Sequence, residues 1–182
     1  MIVLGIDPGS RRCGYGVVAR RGARLELLES GVIEPPESPV AARLARILEG
    51  LAEVIARARP AEVSVEQVFA GVSARSALVL GQARGVALAA AARAGLPVFE
   101  YAPAAVKLAF TGSGRASKDQ MLRTAHMLLG AAAGGLADEA DAIALAVCHL
   151  ACRTARLAAA GAAHAGAASR LRPARRDHRR AP

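Results

Sequence analysis

The chain has 182 residues, 53% of them hydrophobic but only 3% aromatic, which suits one domain whose core is filled by Ala, Leu and Val. No apolar run reaches the roughly 18 residues needed to span a bilayer, and the opening lacks the basic region and cleavage site of an export signal. An odd set of cysteines, Cys13, Cys148 and Cys152, argues against a disulfide framework, so the expected compartment is the cytoplasm. The net charge is +9, yet residues 153–182 alone carry eight arginines and one acid, a charge of +7; the remaining 16 basic and 14 acidic residues leave +2. The positive field therefore belongs mostly to the C-terminal tail.

In chain order, Ile2 to Asp7 reads as a buried strand, broken by Pro8-Gly9-Ser10. Gly14 to Arg20 and Leu25 to Ile33 follow as strands joined by short turns, an antiparallel meander. Beyond Pro35, Pro36 and Pro39, the apolar residues Leu44, Ile47, Leu48, Leu51, Val54 and Ile55 recur at helical spacing. Pro60 ends that helix, and Val63 to Val68 is a fourth strand. Ser73 to Ala94 is an Ala-rich helix with expected interruptions near Gly81 and Gly85. Pro97 to Tyr101 is a fifth strand, and Pro103 to Phe110 a helical turn. Ser117 caps a helix that runs to Leu129. Asp138 to about Leu157 is the last helix. Residues 1–157 thus form the folded domain. Residues 158–182 have almost no large apolar side chain and read as a disordered basic tail.

This order predicts an α/β fold, a mixed five-stranded sheet with helices on both faces. A right-handed crossover places the fourth strand parallel to the first. Asp7 and Glu66 then stand near each other at the carboxyl ends of parallel strands, where open α/β sheets bind ligands. Alternation puts Val63 and Val65 on one face of their strand and Ser64 and Glu66 on the other. Asp138 and Asp141 are i, i+3 neighbours on the last helix and present oxygens together, while Glu139 points elsewhere. Each acid has a bland reading alone: a turn-former at Asp7, a solvated strand end at Glu66, a helix cap at Asp138. Four carboxylates at the inner ends of apolar segments are costly unless paired. Divalent cations offset that cost and support phosphodiester hydrolysis.

Gly5-Ile-Asp-Pro-Gly-Ser10, Val65-Glu-Gln-Val-Phe69, Leu80-Gly-Gln-Ala-Arg-Gly85 and Asp138-Glu-Ala-Asp141, in this order, resemble the RuvC family of bacterial Holliday-junction resolvases. Pro97 to Tyr101 and Lys107 fit the same pattern, and the resemblance covers about residues 1–155. It implies a ribonuclease H-like fold and a homodimer. Each protomer would cut one of two opposed strands of a four-way DNA junction, leaving 5′-phosphate and 3′-hydroxyl ends. It assigns Asp7, Glu66, Asp138 and Asp141 as catalytic, metal-binding residues. They would hold two Mg²⁺ ions per site, with Mn²⁺ as a substitute. The resemblance also implies work alongside the RuvA–RuvB branch-migration machinery.

Candidate DNA contacts are Phe69, which would stack on an unpaired base, Arg75, and the only two lysines, Lys107 and Lys118, as compact charges for phosphate. Arg11 and Arg12 are candidate phosphate contacts or turn decoration. His126 and His149 read as surface or packing residues. Three other readings fit less. An actin-like ATPase needs a second domain and a second phosphate loop. A non-catalytic nucleic-acid module leaves the four acids unexplained. A resolvase-like ribonuclease of the YqgF type is usually shorter and lacks the full motif series.

Overall fold

The computed structural model of the protein describes residues 1–67, 74–130 and 135–170, with side chains at 74, 75 and 156–170 outside that description. Among these residues the strands are β1 (Ile2–Asp7), β2 (Cys13–Arg21), β3 (Arg24–Ile33), β4 (Glu62–Glu66) and β5 (Val98–Tyr101). The helices are α1 (Val40–Ala58), α2 (Ala74–Arg93), α3 (Pro103–Thr111), α4 (Lys118–Leu129) and α5 (Ala137–Arg170). The sheet order is β3-β2-β1-β4-β5. The three N-terminal strands pair antiparallel, while β1–β4 and β4–β5 are parallel. This is the predicted mixed sheet.

Strand alternation divides the two faces. Leu4, Ile6, Val17, Val63 and Val65 point to one side and bury against Ile47, Leu51, Val54 and Ile55 of α1 and Ala87, Ala90 and Ala91 of α2. The opposite face carries Gly5, Gly16 and Ser64, which are neighbours across the sheet, and α5 lies on it. A Cβ at Gly5 would fall 2.0 Å from the carbonyl oxygen of Ala142, and one at Gly14 2.0 Å from that of Asp138. The absent side chains are therefore what lets α5 approach the sheet closely enough to bring its acids to Asp7.

Two elements differ from the sequence reading. Helix α2 is continuous through Gly81 and Gly85. Each internal glycine costs about 1 kcal/mol of helix propensity, and burial of Ala83, Ala87, Ala90 and Ala91 offsets it. Helix α5 continues past Leu157 to Arg170. That stretch is dominated by alanine, the strongest helix former, so the loss of large apolar residues does not mark the helix end. The chain divides into two compact units, Met1–Ala151 and Cys152–Pro182. The first holds the whole sheet. The second is helical through Arg170, and residues 171–182 lie outside the described ones. Among the described residues, no helix is long and apolar enough to cross a membrane.

Candidate active site

Asp7 is the last residue of β1 and Glu66 the last of β4. The strands are parallel, with Ile6 opposite Val65, so both carboxylates emerge at the same sheet end, as predicted. Asp141 reaches them from the first turns of α5. The three acids line a cavity of about 200 Å³ whose other walls are Pro103, Val106 and Lys107 of α3, Met121 of α4 and Leu145 of α5. The apolar walls keep the local dielectric low and strengthen every charge interaction inside.

The electrostatics match that geometry. Burial raises the Asp7 carboxyl to about 7, with Glu66, Asp141 and Asp138 adding repulsion and Lys118 opposing the rise. Glu66 is pushed up by burial and by Asp141, against Lys107. Asp141 is pushed up by burial and by Asp138, against Lys118 and Lys107. All four predicted acids thus share one field, and both lysines stand within it. Lys118 opens α4 behind a Ser117–Gln120 capping box. A cation is disfavoured at a helix N-terminus, and the neighbouring Asp7 and Asp141 charges compensate for that placement.

Asp138 lies one helical turn before Asp141. Its carboxylate pairs with the Arg12 guanidinium at 3.1 Å, and Arg12 also pairs with Glu34 at 3.0 Å. Arg12 is therefore engaged with acids of its own chain. Glu139 turns away from the cleft, as expected, and serves another purpose. It accepts hydrogen bonds from the Gly135 and Leu136 N–H groups, at 2.8 and 3.4 Å, and from the Ser30 hydroxyl of β3. This ties the acid-bearing first turn of α5 to the sheet. On the opposite face of the sheet, Arg84 of α2 donates to the Glu66 carbonyl at 3.3 Å and pairs with Glu100. These supports were not legible in the sequence, because their partners are distant along the chain. Phe69 lies outside the described residues. Arg75 falls within α2, but its side chain is outside the description. His126 is exposed, whereas His149 is buried.

The donor set suits a hard divalent cation: four carboxylates, three of them raised by burial and repulsion that a cation would relieve. Among the described residues, no three His, Cys, Asp or Glu side chains converge closely enough to surround one metal ion. Holding one ion there would therefore require side-chain adjustment, most directly at Asp138, which Arg12 holds.

A mixed β3-β2-β1-β4-β5 sheet with acids at the ends of its central parallel strands defines an α/β domain of the ribonuclease H-like class. The family model described as crossover junction endodeoxyribonuclease RuvC matches residues 3–149, a span that includes all four acids and both lysines. The chain belongs to the RuvC family. A relative in Anaeromyxobacter dehalogenans, named crossover junction endodeoxyribonuclease RuvC, is 74% identical over the full length of both chains. One of the same name in Trichlorobacter lovleyi is 49% identical over 82% of this chain and 85% of its own. Among solved structures, Thermus thermophilus RuvC in complex with a Holliday junction substrate is 39% identical. It has a TM-score of 0.76 and covers 82% of this chain and 93% of its own.

Proposed function

We propose that this protein is the endonuclease that resolves four-way DNA junctions, with Asp7, Glu66, Asp138 and Asp141 as its metal-binding catalytic residues. The observation that carries the site assignment is the convergence of Asp7, Glu66 and Asp141 on one cleft, with Asp138 in the same field. Among the described residues no Ser–His–Asp or Cys–His constellation is evident, since the buried His149 bonds to Glu62 and Tyr101, and water is the nucleophile. Bound Mg²⁺, or Mn²⁺ in its place, would supply a lowered pKa for that water and charge stabilisation at the leaving oxygen, most simply with two ions. The four carboxylates hold the metal. Lys107 and Lys118 face incoming phosphate, and their charge offsets the repulsion between acids and DNA. Phe69 and Arg75 are the proposed contacts of the segment after β4. The products are nicked duplexes with 5′-phosphate and 3′-hydroxyl ends.

A four-way junction next to a linear duplex of matched sequence tests this function directly. Paired cuts in the junction with Mg²⁺, none with EDTA and none in the duplex are expected. Equal cutting of both substrates would sink it.

Paired cuts call for a homodimer, since a C₂ dimer matches the two equivalent strands. The outward face of α2 supports this assignment: Leu78 is 66% exposed, and the Cβ positions of Gly81 and Gly85 have no atom within 4 Å. Sedimentation at micromolar concentration should give a dimer, and a monomer on junction DNA would contradict it. The functional setting is the cytoplasm, beside RuvA and RuvB.

The basic segment from residue 158 onward is proposed as a phosphate-binding appendage to the nuclease domain. The family model stops at residue 149, which supports treating the segment separately. Truncation after Leu157 should weaken binding to all DNA together and make its salt dependence shallower, by reducing counterion release. Equal salt slopes would show the tail to be inert.

A further inference from the structure

We propose that His149 is a positioning residue for the metal-binding acids. Through Glu62 and Tyr101 it sets how α5 sits over β4 and β5, and hence how Asp141 faces Glu66. This rests on the reading that those acids hold the metal.

His149 lies on α5 and is 1% exposed. Its Nε2 bonds to the Glu62 carboxylate and its Nδ1 to the Tyr101 hydroxyl, the latter at 2.7 Å. A carboxylate only accepts, so Nε2 carries the proton and donates to Glu62. In the neutral ring, Nδ1 then accepts from Tyr101. Phe99 packs on the same ring, with centroids 4.5 Å apart. Three elements, α5, β4 and β5, thus meet at one imidazole with both nitrogens bonded and its plane held. Packing alone does not ask for this chemistry, because burying polar groups costs free energy that an aliphatic side chain avoids.

The placement gives the network its role. Glu62 and Glu66 lie on the same face of β4, four residues apart, a spacing of about 13 Å in a strand. Asp141, Leu145 and His149 recur every four residues along one side of α5, and Asp141 to His149 spans about 12 Å. The two spacings match, so His149–Glu62 and Asp141–Glu66 are two rungs between the same helix and strand. Ser64 lies between the rungs, fully buried, beside Gly5 in the sheet, one of the points where α5 approaches closely. Fixing the lower rung fixes the register and roll of α5 at the upper one.

Calorimetric titration of Mn²⁺ into the full-length protein without DNA reads this directly. The variants are His149→Leu, His149→Gln, Tyr101→Phe and, as control, Asp141→Asn. His149→Leu and Tyr101→Phe should weaken Mn²⁺ binding by about 10-fold, the scale of losses seen for groups that orient metal ligands. His149→Gln, which can still donate to Glu62, should recover most of it. Junction affinity in EDTA should not move. If His149→Leu fails to fold, Tyr101→Phe, which removes one hydroxyl, carries the test. Wild-type Mn²⁺ affinity in Tyr101→Phe, or a loss in His149→Leu that glutamine does not recover, would overturn the proposal. Wild-type affinity in Asp141→Asn would instead overturn the metal-site reading beneath it.

Discussion

Asp7→Asn, Glu66→Gln, Asp138→Asn and Asp141→Asn should each slow junction cleavage by at least about 100-fold, equivalent to roughly 2.7 kcal/mol in the barrier. Each change keeps the side chain's shape and removes one negative charge. The loss falls on the cation-holding field rather than on the fold. Binding should respond differently. The acids repel phosphate, so neutralising one leaves junction affinity unchanged or slightly tighter. Single-turnover cleavage of a labelled junction, with a gel-shift titration of the same substrate, separates the two. Near wild-type cutting by two of the four variants would remove the carboxylates from the catalytic role.

Metal removal should have the second-largest effect, visible in stability as well as activity. EDTA should abolish cleavage. Mg²⁺ and Mn²⁺ should restore it, and Ca²⁺, with looser coordination, should support binding without cutting. In the metal-free protein the Asp7 carboxyl is raised to about 7. Between its ordinary value and that one, the folded state keeps a proton that the unfolded chain has released. Stability contributed by Asp7 is therefore present at low pH and is lost as pH rises towards 7. Asp7→Asn removes this penalty. At pH 8 in EDTA the variant should melt above wild type, by a few degrees per kcal/mol for a domain of this size, about 2–4 °C. The gap should close near pH 4. Added Mg²⁺ should raise the wild-type melting temperature more than the variant's. A variant that melts below wild type at pH 8 in EDTA would show that Asp7 is not held under electrostatic strain.

The legible part of the site was the part written in local pattern. Asp7 before Pro8-Gly9 closes an apolar strand, alternation turns Glu66 away from Val63 and Val65, and the i, i+3 spacing pairs Asp138 with Asp141. Each follows from backbone geometry within a few residues. Ser117 as a helix cap is of the same kind, confirmed by its reciprocal bonds with Gln120. The Glu62–His149–Tyr101 network has no such signature, since His149 meets partners 87 and 48 residues away. By itself it reads as one more packing residue. Helical spacing turns Glu139 away from the acids, but its link to Ser30 joins residues 109 apart in the chain. The end of α5 at Arg170 has no marker in the apolar pattern, which fades after Leu157. In an alanine run, propensity alone extends it.

Asp7, Glu66, Asp138 and Asp141 are proposed to hold the cation on which DNA cleavage depends. Crystals of the full-length protein grown with Mn²⁺ and a junction that resists cleavage test it most directly, through an anomalous difference map at the manganese edge. The expected result is one or two peaks in the cleft bounded by Asp7, Glu66 and Asp141, with Asp138 turned from Arg12 towards the metal. Manganese bound elsewhere on the chain, with no peak among these carboxylates, would contradict the account.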